Sequence, residues 1–111
     1  MNISTRTQQD VTVVAIAGKL DSNTSPEAQQ ALDGIVAGGA RTVVVDFTAL
    51  DYISSAGLRV LLGTARRLRG SGGALRLFGL NETVREVFEI SGFSTILAVF
   101  PTEAAALAES P

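Results

Sequence analysis

A continuous apolar run near the middle of the chain most constrains the fold. Residues 42–47 are Thr-Val-Val-Val-Asp-Phe, so three valines follow one another without polar alternation. A strand of this composition is covered on both faces, which is typical of a parallel sheet buried beneath helices. Segments 11–17 and 74–79 have a similar apolar character and are also predicted strands. The sequence therefore predicts a sheet with several parallel strands.

Helix-start signals separate the predicted strands. The first helix begins near Pro26, either with Ser25 as its cap or with Thr24 and Glu27 as a capping box, and ends at Gly38-Gly39. A second helix follows the two serines at 54 and 55, with its apolar residues at helical spacing. These inward positions are Leu58, Leu61, Leu62, Ala65 and Leu68.

Shorter elements complete the pattern. Asn81 caps a third helix that Gly92 closes, and Thr102 caps a last, alanine-rich helix. Residues 2–7 and 96–100 are predicted as an edge strand and a short final strand. The order β-β-α-β-α-β-α-β-α predicts an α/β fold, a mixed and mostly parallel sheet of four to five strands with about four α-helices packed on it.

Composition limits the functions that remain possible. A length of 111 residues fits a single domain over 1–111, and a net charge of −2 offers no field for nucleic acid or an anionic membrane. With no cysteine and no histidine, thiol and imidazole catalysis and the common zinc sites are excluded. Because no signal-peptide core or membrane-spanning run is visible, we expect a cytoplasmic protein without metal, cofactor or membrane contact.

Residues 46–58 carry most of the functional information. A buried strand ends at Asp46, and a short connection delivers two hydroxyls and a glycine to a helix start. Unpaired backbone N–H groups and the positive end of the helix dipole favour an anion there. One interpretation is that Ser54 or Ser55 simply caps the helix. The other is that one serine caps and its neighbour accepts a phosphate.

The segment resembles the signature of STAS-domain anti-sigma-factor antagonists. The match is Tyr-Ile-Ser-Ser-Ala-Gly-Leu at 52–58, followed by an apolar helix. Gly-Lys-Leu-Asp at 18–21 looks like the turn before the family's first helix, and 43–47 looks like the strand before its phosphorylation loop. Residues 87–93, Val-Phe-Glu-Ile-Ser-Gly-Phe, look like the end of its third helix. The resemblance covers nearly the whole chain.

This resemblance implies a phosphorylation switch at the serine two positions before the motif's glycine, which is Ser55. Ser54, where many members carry aspartate, is the second candidate. The implied partners are an anti-sigma factor that is also a serine kinase with a histidine-kinase-like ATPase fold, and a PP2C-type phosphatase. The unphosphorylated form would bind the anti-sigma factor and release the sigma factor. STAS domains also occur as non-switching subunits of transporters and lipid-transport ABC assemblies, which is the alternative.

No enzyme site is visible in the sequence. There is no phosphate-binding loop, and Gly-Ser-Gly-Gly at 70–73 lies between a helix and a strand, where a turn is expected. The chain is predicted to be the substrate of a kinase, with no catalytic residues of its own.

A docking surface is expected around the serines and along the outer face of the second helix. Its predicted partner-binding residues are Asp21, Ser54, Ser55, Gly57, Arg59, Gly63 and Arg66. Residues 52–81 contain five arginines and no acidic residue, a patch suited to an acidic partner or simply to solubility. Asp21 and Asp46 also have structural interpretations, as a turn residue and as a strand-end residue that bonds loop amides.

Overall fold

The computed structural model describes residues 1–8 and 10–108. The strands are β1 (Asn2–Gln8), β2 (Val11–Leu20), β3 (Thr42–Asp46), β4 (Leu50–Ile53), β5 (Ala74–Phe78) and β6 (Ala98–Phe100). The helices are α1 (Ser25–Ala37), α2 (Ser55–Gly70), α3 (Glu82–Ser91) and α4 (Glu103–Ala108), and a 3-10 turn spans Phe93–Thr95. None of the described helices has the length and apolar character needed to cross a membrane.

The sheet is mixed and mostly parallel. Its order is β1-β2-β3-β5-β6, and β4 pairs with the carboxyl end of β2. The β1–β2 pair is antiparallel, and the β2–β3, β2–β4, β3–β5 and β5–β6 pairs are parallel. Because the strands before α1, α2 and α3 run in the same direction, these helices begin at one common edge, formed by the carboxyl ends of the parallel strands.

The two faces of the sheet bury clusters of unequal size. Val45 and Leu77 face the larger cluster, which α1, α2 and α3 cover. Val44 and Phe78 alternate to the opposite face, where Ala106 of α4 covers a smaller cluster. Arg76 lies on that second face and is nearly buried, and its Nη1 donates to the Ala106 carbonyl across 3.0 Å. The continuous apolar run at 42–47 is thus covered on both sides, as its composition predicts.

One strand was not predicted. We expected residues 48–53 to be a simple connection, but Leu50–Ile53 forms β4, which gives six strands among the described residues. Leu50 and Ile53 are buried while Asp51 and Tyr52 between them are exposed. Periodicity did not identify the strand because four residues are too few to establish an alternation.

The predicted start of α1 was wrong, and the predicted inner face of α2 was confirmed at Leu58, Leu61 and Leu68. The N-cap position of α1 is Thr24, without a side-chain cap bond, so neither the Ser25 cap nor the Thr24–Glu27 capping box forms. Ser25 instead begins the helix, and its hydroxyl donates to the Asp21 carbonyl across 2.5 Å. In α2, Leu62 and Ala65 are only partly buried, whereas Val60 and Thr64 are buried.

The later helices follow the prediction. The Asn81 side chain caps α3, and Gly92 ends it in the left-handed conformation with φ +80°. In α4, the Thr102 hydroxyl accepts from the Ala105 amide across 3.1 Å.

Candidate functional site

The two serines lie at the carboxyl edge of the sheet. The Ser54 amide donates to the Leu20 carbonyl at the end of β2 across 2.9 Å, and the Ser54 carbonyl accepts from the Leu58 amide across 3.0 Å. From the next helix, Asn81 Nδ2 donates to the Leu50 carbonyl across 3.0 Å. The Ser54 amide thus joins the start of α2 to β2, and Asn81 joins the start of α3 to β4, the strand that leads directly into α2.

Ser54 and Ser55 have opposite environments. Ser54 occupies the N-cap position of α2, but its hydroxyl makes no cap bond. Its Oγ is buried and has no hydrogen-bond partner among the described residues. Ser55, the first residue of the helix, is exposed. The Ser55 side chain is therefore accessible from solvent, whereas the Ser54 hydroxyl is not.

Gly57 is buried, and its role here is close packing. A Cβ at this position would lie 2.8 Å from Ile53 Cγ1, 2.8 Å from Leu20 Cγ and 2.9 Å from the Leu20 carbonyl oxygen. Only glycine lets the first turn of α2 approach β2 and β4 this closely. Gly57 thus sets the position of the neighbouring serines, and a direct contact between Gly57 and a partner remains a prediction.

The outer face of α2 presents the other predicted partner-binding residues. Arg59 and Arg66 are exposed, and Gly63 between them is partly exposed. A Cβ at Gly63 would meet nothing within 4 Å, so the chain's own packing does not require a glycine there. Arg59 Nε donates to the Ser55 carbonyl across 3.4 Å, a long bond that places the guanidinium over the first turn.

Arg67 is held by a residue that the sequence did not point to. It forms an ion pair with Asp33 of α1. Gln29 Nε2 also donates to the Asp33 carboxylate across 2.7 Å, and this bond, with Arg67, holds the pKa of Asp33 below its ordinary value. The predicted patch of five arginines is therefore not available as a whole to a partner, because α1 already pairs Arg67 and because Arg76 of β5 is buried on the opposite face of the sheet.

Asp21 organises the turn between β2 and α1. Its carboxylate accepts from the amides of Thr24 and Asn23 across 3.2 and 2.9 Å. The bond from the Thr24 amide, and to a lesser extent the bond from the Asn23 amide, lowers the pKa of Asp21. Asp46 likewise accepts from the Thr48 amide and hydroxyl, across 2.8 and 2.7 Å. Both structural interpretations are thus observed; a role for Asp21 in docking remains a prediction.

Tyr52 is a further surface residue beside the serines. Its exposed fraction is 43%, and it lies on β4 two positions before Ser54. Large exposed side chains of this kind are enriched at protein interfaces. Recognition of β4 as a strand would not have identified Tyr52, because a regular strand would place residue 52 on the same face as the buried Leu50, two positions earlier.

The environment of the Ser55 side chain favours negative charge, because Ser55 is exposed and is the first residue of α2. An exposed hydroxyl at a helix start beside an arginine suits a covalently attached anion.

Similarity to known proteins extends over nearly the whole chain. The STAS domain family model matches residues 2–106. The chain is 45% identical over 96 residues to BtrV of Bordetella bronchiseptica, assigned by its name to the anti-sigma factor antagonists, with 86% of this chain and 83% of BtrV covered. It is 30% identical over 99 residues to an anti-sigma-B factor antagonist of Staphylococcus aureus, covering 89% and 92% of the two chains.

A solved structure extends the likeness to the fold. The anti-sigma factor antagonist SpoIIAA in its unphosphorylated form matches with a TM-score of 0.80 and 25% identity, covering 96% of this chain and 93% of SpoIIAA.

Proposed function

The chain belongs to the STAS domain family, and we propose that it is an anti-sigma-factor antagonist whose binding to an anti-sigma factor ends when Ser55 is phosphorylated. The relatives named as antagonists, one of them 45% identical, support the antagonist role. The environment of the serines carries the assignment of the acceptor, since Ser55 is exposed and the Ser54 hydroxyl is buried. The family match also supports residues 1–111 as a single STAS domain.

The partner we propose is an anti-sigma factor that is itself a serine kinase with a histidine-kinase-like ATPase fold. In the transfer, a bond forms between Ser55 Oγ and the γ-phosphorus of ATP, the bond from that phosphorus to the β–γ bridging oxygen breaks, and ADP leaves. The kinase supplies the Mg²⁺ and the base that takes the hydroxyl proton. A PP2C-type phosphatase restores the serine by hydrolysis. Action on an anti-sigma factor places the protein in the cytoplasm.

The phosphate acts by changing the docking surface. It adds about −1.5 to −2 charges and three acceptor oxygens at the start of α2. The helix tolerates this charge because its first turn has unpaired N–H groups and a positive dipole end. The partner does not tolerate it, because docking would require removal of water from a dianion. A difference of a few kcal/mol in binding separates the bound and free populations.

Phosphorylation by the kinase, followed by intact-mass measurement, tests the proposal. The wild type and Ser54→Ala should each gain one phosphate, and Ser55→Ala should gain none. A phosphate that persists in Ser55→Ala and disappears in Ser54→Ala would contradict the assignment.

Binding to the same partner separates a switch from a constitutive subunit. Ser55→Ala should bind at wild-type strength, whereas Ser55→Asp and the phosphorylated wild type should bind at least about 100-fold more weakly. If no phosphate is added and Ser55→Asp binds normally, the chain is a non-switching subunit, as in a transporter or lipid-transport ABC assembly.

A further inference from the structure

We propose that Arg59 is the internal receptor for the phosphate on Ser55, an inference that rests on the proposed phosphorylation of that serine. Arg59 follows Ser55 by four residues, so the two side chains are neighbours on one face of α2. Both are exposed, and Arg59 Nε already donates to the Ser55 carbonyl across 3.4 Å. The guanidinium is therefore held above the residue that would carry the phosphate.

A phosphate on Ser55 would be a stronger acceptor for the Arg59 guanidinium than the Ser55 carbonyl that now accepts from it. A guanidinium presents two parallel N–H donors that match two oxygens of a phosphate, and such charge-assisted bonds are stronger than bonds to a neutral carbonyl. A phosphate on Ser55 Oγ would lie within reach of Arg59 after a rotation of exposed side-chain bonds alone. The backbone of α2 need not move.

The surrounding charges leave Arg59 available. No acidic residue occurs between 52 and 81, so no carboxylate of α2 competes for this guanidinium. Arg67, in contrast, is already paired with Asp33. Neighbouring elements also carry acidic side chains, and none of them forms an ion pair with Arg59 in the described part of the chain. They include Asp21, whose carboxylate is occupied by two backbone amides, the exposed Asp51 of β4, Glu27 of α1 and Glu82 of α3.

This contact gives phosphorylation a second effect on the docking surface. The modification adds a dianion and at the same time removes one cation from the outer face of α2. A partner whose acidic groups face Arg59 in the unphosphorylated form would therefore lose an attractive contact as well as meet a repulsive one. The same contact stabilises the phosphorylated form within the chain itself.

Phosphorus NMR of the full chain with phosphoserine installed genetically at position 55 tests the contact. The second pKa of a phosphoserine is about 6, and a nearby cation lowers it because the dianion is favoured. Arg59→Gln should raise the titration midpoint by about half a pH unit relative to the chain that keeps Arg59, since exposure screens the pair. The matched control is Arg69→Gln, which removes the same charge from the same helix about 15 Å further along the axis.

The expected result is a raised midpoint of the phosphate titration for Arg59→Gln and an unchanged midpoint for Arg69→Gln. Arg59→Lys should give an intermediate midpoint, because lysine keeps the charge but lacks the two parallel N–H donors of the guanidinium. The Arg59→Gln difference should shrink in 1 M salt, where the screening length is about 3 Å. Equal midpoints with and without the Arg59→Gln substitution, or equal shifts for both glutamine variants, would overturn the contact. Because the phosphate is installed without a kinase, this outcome is independent of whether the proposed function holds. A phosphorylated chain that still binds its partner would refute the proposed function and leave the NMR result standing.

Discussion

The starts of α2 and α3 lie at the same edge of the sheet, yet they are built differently. At α3, Asn81 Oδ1 accepts from the Val84 amide across 2.7 Å, and Asn81 Nδ2 donates to the Leu50 carbonyl across 3.0 Å. At α2, the cap residue Ser54 makes no side-chain cap bond, and its hydroxyl is buried without a partner among the described residues.

The difference shows that one helix start is closed by hydrogen bonds and the other is held by packing. Asn81 satisfies a first-turn amide and joins α3 to β4, so a further ligand has less to bind there. In α2, Gly57 provides the close approach to β2 and β4 instead, and no side chain caps the first-turn amides. The open end is the one that carries the exposed Ser55. The variants below test this contrast between packing and capping.

Gly57→Ala should have the largest effect on stability. The new Cβ would lie within 3.0 Å of Leu20 and Ile53, both buried, so strand or helix must shift. We expect a loss of about 2 kcal/mol in the free energy of unfolding, measured by urea denaturation. The matched control is Gly63→Ala on the same helix, which should stabilise by up to about 1 kcal/mol because no atom obstructs its Cβ. Equal effects at the two glycines would show that packing does not position α2.

Asn81→Ala should weaken the closed helix start by about 1.5 kcal/mol, because the cap and the bond to Leu50 are lost together. Asn81→Asp separates these two contributions, since a carboxylate keeps the cap acceptor and lacks the Nδ2 donor. Its loss should be smaller, and thermal melts of the three proteins would rank them. A melting temperature unchanged in Asn81→Ala would mean that α3 does not depend on its cap.

Ser54→Ala should change stability by less than about 0.5 kcal/mol, although substitution of a capping serine ordinarily costs about 1 kcal/mol. The reason is that this hydroxyl makes no bond to lose, and its burial without a partner is itself unfavourable. Denaturation of Ser54→Ala and Asn81→Ala under the same conditions compares their free energies of unfolding directly. A loss as large as that of Asn81→Ala would remove the distinction between the two helix starts.

Asp21→Asn should have the smallest effect, a small loss of stability near neutral pH that disappears in acid. The pKa of Asp21 is lowered in the folded chain, chiefly by the Thr24 amide. Its stabilising contribution is therefore present above the unfolded value of about 3.9 and disappears as the pH falls through the lower folded value. The melting-temperature difference between wild type and variant should be constant from pH 7 to 5 and shrink below about pH 4. A difference that grows on acidification would contradict this assignment.

Much of the fold could be predicted from local patterns. The apolar run at 42–47, the cap at Asn81 and the glycine at 92 each depend on near neighbours in the chain, and the structure confirms them. The missed strand β4 has four residues, and its pairing with β2 involves residues about 30 positions away. Such a pairing leaves too weak a local signal to be recognised.

By itself, the sequence determined the order of strands and helices and put two serines at a helix start, because hydrophobic periodicity and capping preferences act over a few residues. Tertiary structure decided which serine faces water, why residue 57 must lack a side chain, and which arginine Asp33 neutralises. These outcomes depend on how α2 sits against β2, β4 and α1. Contacts between segments distant in the chain set that position, and no local pattern records them.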